Sequence, residues 1–131
     1  MKILYYDCFS GISGDMNLGA MIDLGVDAGY LKKELDKLNI KGWELDVNTV
    51  RRNGLKGTQA TVIQKAKAHE HRHFSDILEI IEKSSLDDKT KNLSIKIFTK
   101  LAEAESTVHG IDVEEVHFHE VGAIDSIIDI V

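Results

Sequence analysis

The chain has 131 residues, of which 43% are hydrophobic, and a formal net charge of −6 at pH 7. This length suits one domain with its own core. The negative charge argues against a general nucleic-acid binder, because such proteins usually carry a basic excess. No apolar run is long enough for a signal peptide or a membrane span, so we expect neither. The single cysteine, Cys8, allows no internal disulfide and indicates a cytoplasmic protein.

The first part of the chain predicts a strand followed by two helices. Residues 2–8 are apolar on both faces, which predicts a central strand with Cys8 buried in it. A turn rich in glycine and serine leads into a helix over residues 15–24, with Ser13 as its cap. Asp27 is the predicted cap of a second helix.

The middle of the chain predicts a β-hairpin. Apolar and polar residues alternate over 43–49, and a second strand follows over 58–64. The Asn-Gly pair at 53–54 is a turn signal between them. Two arginines at 51–52 form a basic cluster at the end of the hairpin. They are either exposed to solvent or placed to meet a phosphate of a substrate.

The second half of the chain predicts two helices, a short strand and a last helix. The helices cover residues 75–83 and 87–109, and the longer one has an apolar stripe that should face the core. This stripe consists of Leu93, Ile97, Leu101, Ala104 and Val108. Residues 116–119 form the strand and residues 123–131 the last helix. The chain thus predicts a layered α+β or α/β single domain, with a small sheet of about four strands and four or five helices.

The turn between the first strand and the first helix is a candidate phosphate site. Glycines permit a close approach of the backbone, and a helix N-terminus presents N–H groups to an anion. Acids at both ends of this turn could hold Mg²⁺ or Mn²⁺ against the phosphate. The alternative is an ordinary tight turn with a capping acid. The residues concerned are Asp7, Ser10, Gly11, Ser13, Gly14 and Asp15.

A histidine-rich segment is the first candidate metal site. His69, His71 and His73 alternate along the chain, so an extended segment places them on one side, where they can converge on one ion. Arg72 points to the other side and suits a phosphate or a carboxylate. Alternatively, the histidines lie in a solvated loop and bind metal only weakly.

A second candidate metal site lies near the end of the sequence. In the short strand, His117 and His119 share the face opposite to the core. Glu120 follows directly and is a candidate general base. Asp125 is a candidate catalytic residue on the last helix, where its carboxylate stacks with that of Asp129 on the non-core side. The alternative is a solvated acidic helix beside two surface histidines.

Three segments together resemble the N-terminal part of the LarC family of nickel insertion proteins. They are DCFSGISGDMNLGAMIDLG (7–25), HEHRHFSDILEIIEKS (69–84) and VHFHEVGAIDSIIDIV (116–131), and RRNGLKGTQATV (51–62) fits the same pattern. LarC proteins are nickel chelatases. They place Ni²⁺ into pyridinium-3,5-bisthiocarboxylic acid mononucleotide, which becomes the nickel-pincer cofactor of lactate racemase. This insertion uses CTP and a divalent ion such as Mn²⁺ or Mg²⁺.

The resemblance implies that residues 1–131 are a single N-terminal domain and that the C-terminal part, associated with CTP, is absent. It implies the mononucleotide and the missing C-terminal part as partners, with lactate racemase or a second copy of the chain as further candidates. No nucleic acid or membrane is expected as a partner.

The residues and the resemblance together give one functional hypothesis. The histidines of 69–73 collect Ni²⁺, and His117, His119 and Asp125 receive it or pass it on. The loop over 7–15 cradles the phosphate, while Glu120 or a histidine takes the proton that nickel displaces. Three rivals use the same residues: a metal-dependent phosphohydrolase, a non-catalytic metallochaperone, and a structural domain that only oligomerises.

Overall fold

The computed structural model describes residues 1–65, 72–118 and 121–131. The helices in this part of the chain are α1 (Gly14–Asp23), α2 (Ala28–Leu35), α3 (Phe74–Lys83), α4 (Asp88–His109) and α5 (Ile124–Ile130). The strands are β1 (Trp43–Arg52), β2 (Leu55–Gln64), β3 (Arg72–His73) and β4 (His117–Phe118). Short 3₁₀ turns follow α2 and precede β4. None of the described helices is both long and apolar enough to cross a membrane.

The α+β class predicted from the sequence is confirmed, with five helices and four strands in the described residues. The arrangement of the strands differs from the expected single sheet. β1 and β2 form an antiparallel hairpin, and the two-residue strands β3 and β4 form a separate antiparallel pair. The described part of the chain therefore contains two small sheets of two strands each.

Local signals in the sequence locate most element ends correctly. The Asp27 carboxylate accepts a hydrogen bond of 2.7 Å from the backbone N–H of Tyr30, and Asp87 caps α4 in the same way. The hairpin turn has φ angles of 50° at Asn53 and 81° at Gly54. Two successive left-handed residues are typical of a tight turn that follows the twist of the strands.

Residues 2–8 do not form the predicted strand. They adopt no regular structure and are exposed, and Cys8, which we expected to be buried, is exposed as well. A strand needs a neighbouring strand to satisfy its backbone N–H and C=O groups. No described residue supplies such a neighbour to this segment. The prediction is therefore wrong for the chain as it stands here.

Helix α4 turns a different face to the core from the one predicted. Of the expected stripe, only Leu101 packs against the core, whereas Leu93 is 58% exposed and Val108 is 79% exposed. The buried side chains of α4 are Ser94, Phe98 and Ala102. These residues lie four positions apart, so they also form one continuous face of the helix.

The core lies where α3, α4, β4 and α5 meet, and it contains the rings of Trp43, Phe74, Phe98 and Phe118. Helix α1 packs separately onto β2. The Asp23 carboxylate accepts hydrogen bonds from the N–H and the hydroxyl of Thr58, at 3.0 and 2.6 Å. These contacts hold the end of α1 on the hairpin, whereas Gly14 at the start of the helix lies against Asp129 of α5.

Candidate functional site

Two histidines from different parts of the chain meet on one edge of the molecule. His73 of β3 and His117 of β4 are register partners in the antiparallel pair, and their ring centroids are 3.5 Å apart. The sequence analysis treats their segments as two candidate metal sites, and the structure brings these two side chains together. The other four candidates of these segments, His69, His71, His119 and Glu120, lie outside the described residues.

The core fixes the position of this histidine pair. Phe118, only 2% exposed, lies 6.3 Å from Phe74 and 6.4 Å from Phe98 between ring centroids. Because side chains alternate along a strand, burying Phe118 turns the adjacent His117 outward. The backbone N–H of His73 donates to the Asp76 carboxylate at 2.8 Å, which anchors the other imidazole at the start of α3.

The turn after β4 packs tightly onto β3. The Arg72 guanidinium donates to the carbonyl of Gly122 at 2.8 Å. A β-carbon at Gly122 would lie 2.7 Å from the carbonyl oxygen of Phe118 and 3.3 Å from the backbone nitrogen of Arg72. Only glycine fits such a close approach. The contact links both histidine strands to the start of α5.

The two acids of α5 have different surroundings. Asp125 is exposed and accepts a hydrogen bond of 3.3 Å from Gln64, a polar residue at the end of β2 that the sequence analysis missed. Asp129 is half-buried against α1, where a β-carbon at Gly14 would overlap its carboxylate. Both acids lie away from the core as expected, but α1 covers Asp129, so Asp125 alone is exposed.

The surroundings of Asp129 disfavour the charged form of its carboxyl group. Its Oδ1 atom is buried and has no hydrogen-bond partner in the described part of the chain. Burial, followed by the negative charges of Asp15 and Asp125, raises the pKa of Asp129 to about 6. A buried carboxylate without a partner favours either a bound proton or a nearby cation.

This raised pKa predicts a pH-dependent stability. The folded state binds the Asp129 proton more tightly than the unfolded chain, whose carboxyl has a pKa near 3.8. The stability that this bound proton contributes is therefore fully present below pH 3.8 and is lost as the pH rises through about 6. We expect Asp129→Asn to raise the free energy of unfolding at pH 7.5 by about 1 kcal/mol, after allowance for solvent screening.

Urea unfolding of both proteins at pH 4.5 and pH 7.5 measures this effect. The difference between wild type and Asp129→Asn should be larger at the higher pH. Asp125→Asn removes only one neighbouring charge and should have a smaller effect in the same direction. A loss of stability in Asp129→Asn at pH 7.5 would contradict the assignment.

The residues of the predicted phosphate loop face two different cavities. Ser13 and Asp15 line a cavity of about 380 Å³ together with Arg52 of the hairpin end. Asp7 and Gly11 line a second cavity of about 250 Å³ against α1. Ser10 and Gly14 border neither cavity. The loop therefore does not surround one pocket with all six predicted residues.

Asp15 also acts locally at the start of α1. Its carboxylate accepts hydrogen bonds from the Ser13 hydroxyl and, at 2.9 Å, from the backbone N–H of Met16. A negative charge in the first turn of a helix is favourable because the N-terminus carries a partial positive charge. This geometry fits the simpler alternative of a capping acid, and it leaves Arg52 as the cationic group of the larger cavity.

The described residues do not form a complete metal site. Among residues 1–65, 72–118 and 121–131, no group of three or more His, Cys, Asp or Glu side chains is close enough to hold a metal ion. The histidine pair supplies two nitrogen donors, and the acids near α1 and α5 supply oxygens at another place. A metal bound to the described residues would keep open coordination positions.

Comparison with known proteins decides the family. The model of the family described as nickel insertion protein matches residues 4–131. The chain belongs to the nickel insertion protein family. No solved structure is significantly similar to it.

Members of this family from several bacteria are similar along the whole chain. A protein of Wolinella succinogenes is 55% identical over 133 residues, which cover 100% of this chain and 34% of that protein. Proteins of Akkermansia muciniphila and Desulfitobacterium hafniense are each 50% identical, covering 99% and 100% of this chain. Both are named pyridinium-3,5-bisthiocarboxylic acid mononucleotide nickel insertion protein. The chain spans about a third of the length of these relatives.

Proposed function

We propose that this chain is the N-terminal domain of a nickel insertion protein and handles Ni²⁺ on its way into pyridinium-3,5-bisthiocarboxylic acid mononucleotide. In this role the complete protein is a nickel chelatase that serves the maturation of lactate racemase. The proposal rests on family membership and on one observation, the contact of His73 with His117 at 3.5 Å between ring centroids.

The histidine pair suits nickel as a transferred substrate. Neutral imidazole is a good ligand for Ni²⁺, whereas Mg²⁺ and Ca²⁺ prefer oxygen. His117 is exposed and His73 is partly exposed, so an ion can approach their nitrogen atoms. Because the pair supplies only two donor atoms, the ion keeps coordination positions free for the sulfur and carbon atoms of the acceptor. In this proposal His69, His71 and His119 are the further nickel ligands.

The cavity beside the hairpin end is the proposed site of the mononucleotide phosphate. A guanidinium such as that of Arg52 binds phosphate oxygens in pairs, and the start of α1 offers backbone N–H groups beside Ser13. The carboxylate of Asp15 borders the same cavity and opposes an anion. We therefore assign phosphate binding mainly to Arg52 and to the N-terminus of α1.

The described residues do not fit a complete Mg²⁺ or Mn²⁺ site. Asp129 has an unpartnered carboxylate oxygen, which a cation would satisfy, yet no third donor group accompanies it in the described part of the chain. We accordingly assign no step with CTP or its divalent ion to these residues. The CTP-dependent step belongs to the part of the protein beyond residues 1–131.

Two acids have proposed roles in the insertion itself. Forming a bond from nickel to carbon releases a proton, and Glu120, next in sequence to the histidine strand, is the proposed base. Asp125 is exposed on α5 and held by Gln64, so its carboxylate is available to pass the ion onward. These two roles complete the proposed path from the histidine pair to the acceptor.

Calorimetric titration of Ni²⁺ tests the proposal directly. We expect the double variant His73→Ala/His117→Ala to bind Ni²⁺ at least about tenfold more weakly, a loss of about 1.4 kcal/mol or more. His109→Ala is the matched control. Its imidazole is exposed at the end of α4, where it lies 3.1 Å from the carboxylate of Glu105 and is not one of the proposed nickel ligands.

Three outcomes would overturn the proposal. Unchanged Ni²⁺ affinity in the double variant would remove the histidine pair from nickel handling. Turnover of simple phosphate monoesters by the wild-type chain with Mn²⁺ would favour the phosphohydrolase instead. Ni²⁺ binding that the mononucleotide does not affect would favour the metallochaperone.

A further inference from the structure

The N-terminal segment exposes an unusual amount of apolar surface. Ile3, Tyr5 and Phe9 are 77%, 82% and 91% exposed, and Leu4 and Tyr6 are about half exposed. Apolar residues scattered singly over a surface are common, but a contiguous run of large ones marks an interaction site. This segment is therefore a candidate contact surface.

The backbone of the same segment has unused hydrogen-bonding capacity. Within the described residues, no strand pairs with residues 2–8, and the carbonyl of Cys8, which accepts from Gly11 at 2.9 Å, makes the segment's one backbone–backbone bond. The sequence is nonetheless apolar on both faces, the pattern of a strand that is covered on both sides. Both features fit a strand whose partner strands lie outside the described residues.

The structure also indicates where those neighbours would come from. The hydroxyl of Tyr6 donates to the side-chain oxygen of Asn17 at 2.9 Å. Asn17 in turn lines a cavity of about 300 Å³ together with Ile130 and Val131. The segment and the end of α5 thus lie on neighbouring parts of α1. In the relatives about two thirds of the length lies outside the match.

We propose that residues 2–8 form a β-strand that pairs with a strand from the part of the nickel insertion protein beyond residues 1–131. This inference rests on the proposed function, since it takes the chain as the N-terminal domain of a longer protein. Strand addition satisfies the backbone groups, and burial covers the apolar side chains on both faces. The family match starts at residue 4, so most of the segment belongs to the family's own domain.

Hydrogen exchange in a full-length chimera tests this interface. In the chimera, the 131 residues replace the matched part of the Desulfitobacterium hafniense protein. We expect the amides of residues 3–8 to exchange about 100-fold more slowly in the chimera than in the 131-residue chain. The intact Desulfitobacterium hafniense protein provides a second measurement, because its matching N-terminal segment should be equally protected even if the chimera folds poorly.

A pair of variants separates the interface from general effects of charge. Ile3 and Leu55 are both 77% exposed, so glutamate at either position should leave the melting temperature of the 131-residue chain unchanged. In the chimera, Ile3→Glu should lower the melting temperature and abolish the protection of residues 3–8. Leu55→Glu should do neither.

Three results would overturn the inference. The first is equally fast exchange of residues 3–8 in the chain, the chimera and the intact relative. The second is equal behaviour of the two glutamate variants in the chimera. The third is protection in the 131-residue chain that rises with its concentration, which would assign the surface to a second copy. Nickel titration of the same proteins tests the histidine pair independently, so the two proposals can fail separately.

Discussion

Phe118→Ala is expected to lower the free energy of unfolding by about 3 to 5 kcal/mol. Phe118 is 2% exposed and packs near the rings of Phe74 and Phe98, so removing its ring leaves a cavity in the core. A small domain has a total stability of only about 5 to 15 kcal/mol. The variant should therefore be mostly unfolded at moderately raised temperature.

The same substitution should weaken nickel binding under conditions where the protein remains folded. Phe118 is the anchor that turns the adjacent His117 outward toward His73. Phe118→Leu keeps an apolar group in the core and should retain most of the stability and of the Ni²⁺ affinity. This difference separates a positioning role from simple unfolding.

Phe9→Ala is the matched control for the measurement. Its ring is 91% exposed, so the same chemical change should alter the free energy of unfolding by less than about 0.5 kcal/mol in the 131-residue chain. Urea denaturation followed by far-ultraviolet circular dichroism measures all three variants. A small effect of Phe118→Ala, similar to that of Phe9→Ala, would contradict the description of the core.

Local interactions explain why the sequence predicts most helix and hairpin ends. Asp27 and Asp87 cap their helices through contacts within three residues, and the left-handed turn at Asn53 and Gly54 depends on those two residues alone. Such signals act over a few positions and are unaffected by the rest of the fold. The sequence contains all the information that they require.

Two of the wrong predictions, the strand over residues 2–8 and the buried face of α4, concern contacts between distant parts of the chain. The apolar pattern of residues 2–8 predicts a covered strand but does not identify what covers it. Helix α4 has apolar residues on more than one face, and periodicity alone cannot choose between them. Ser94 lies on the buried face because its hydroxyl donates to the carbonyl of Thr90 at 2.9 Å, which satisfies a polar group that we would expect outside.

The candidate site was also predictable only where it depends on local patterns in the sequence. The alternation of histidines predicts that they share a face within each segment, whereas only the register of β3 with β4 shows His73 beside His117. The raised pKa of Asp129 was not predictable, because it arises from the packing of α5 against Gly14 and Asp15. A sequence pattern gives the spacing of donors along one element, whereas the electrostatics depend on how the elements pack.

Gly19→Ala is expected to lower the free energy of unfolding by about 2 to 3 kcal/mol, although alanine normally stabilises a helix. Gly19 lies where α1 crosses β2, and a β-carbon there would overlap the backbone carbonyl oxygen of Thr58. Backbone in a paired strand cannot move aside as a flexible side chain can. The helix must therefore shift away from the hairpin, which also strains the hydrogen bonds of Thr58 to Asp23.

The matched control is Gly29→Ala, a second glycine within a helix. A β-carbon at Gly29 meets only the Asp27 carboxylate, at 3.2 Å, which can rotate slightly. This variant should be neutral or more stable by up to about 1 kcal/mol, because alanine has the higher helix propensity. Urea denaturation of both variants measures the difference. Equal effects at the two positions would mean that α1 does not approach β2 as closely as described. The start of α1 would then no longer be fixed beside Asp129 and the proposed phosphate cavity.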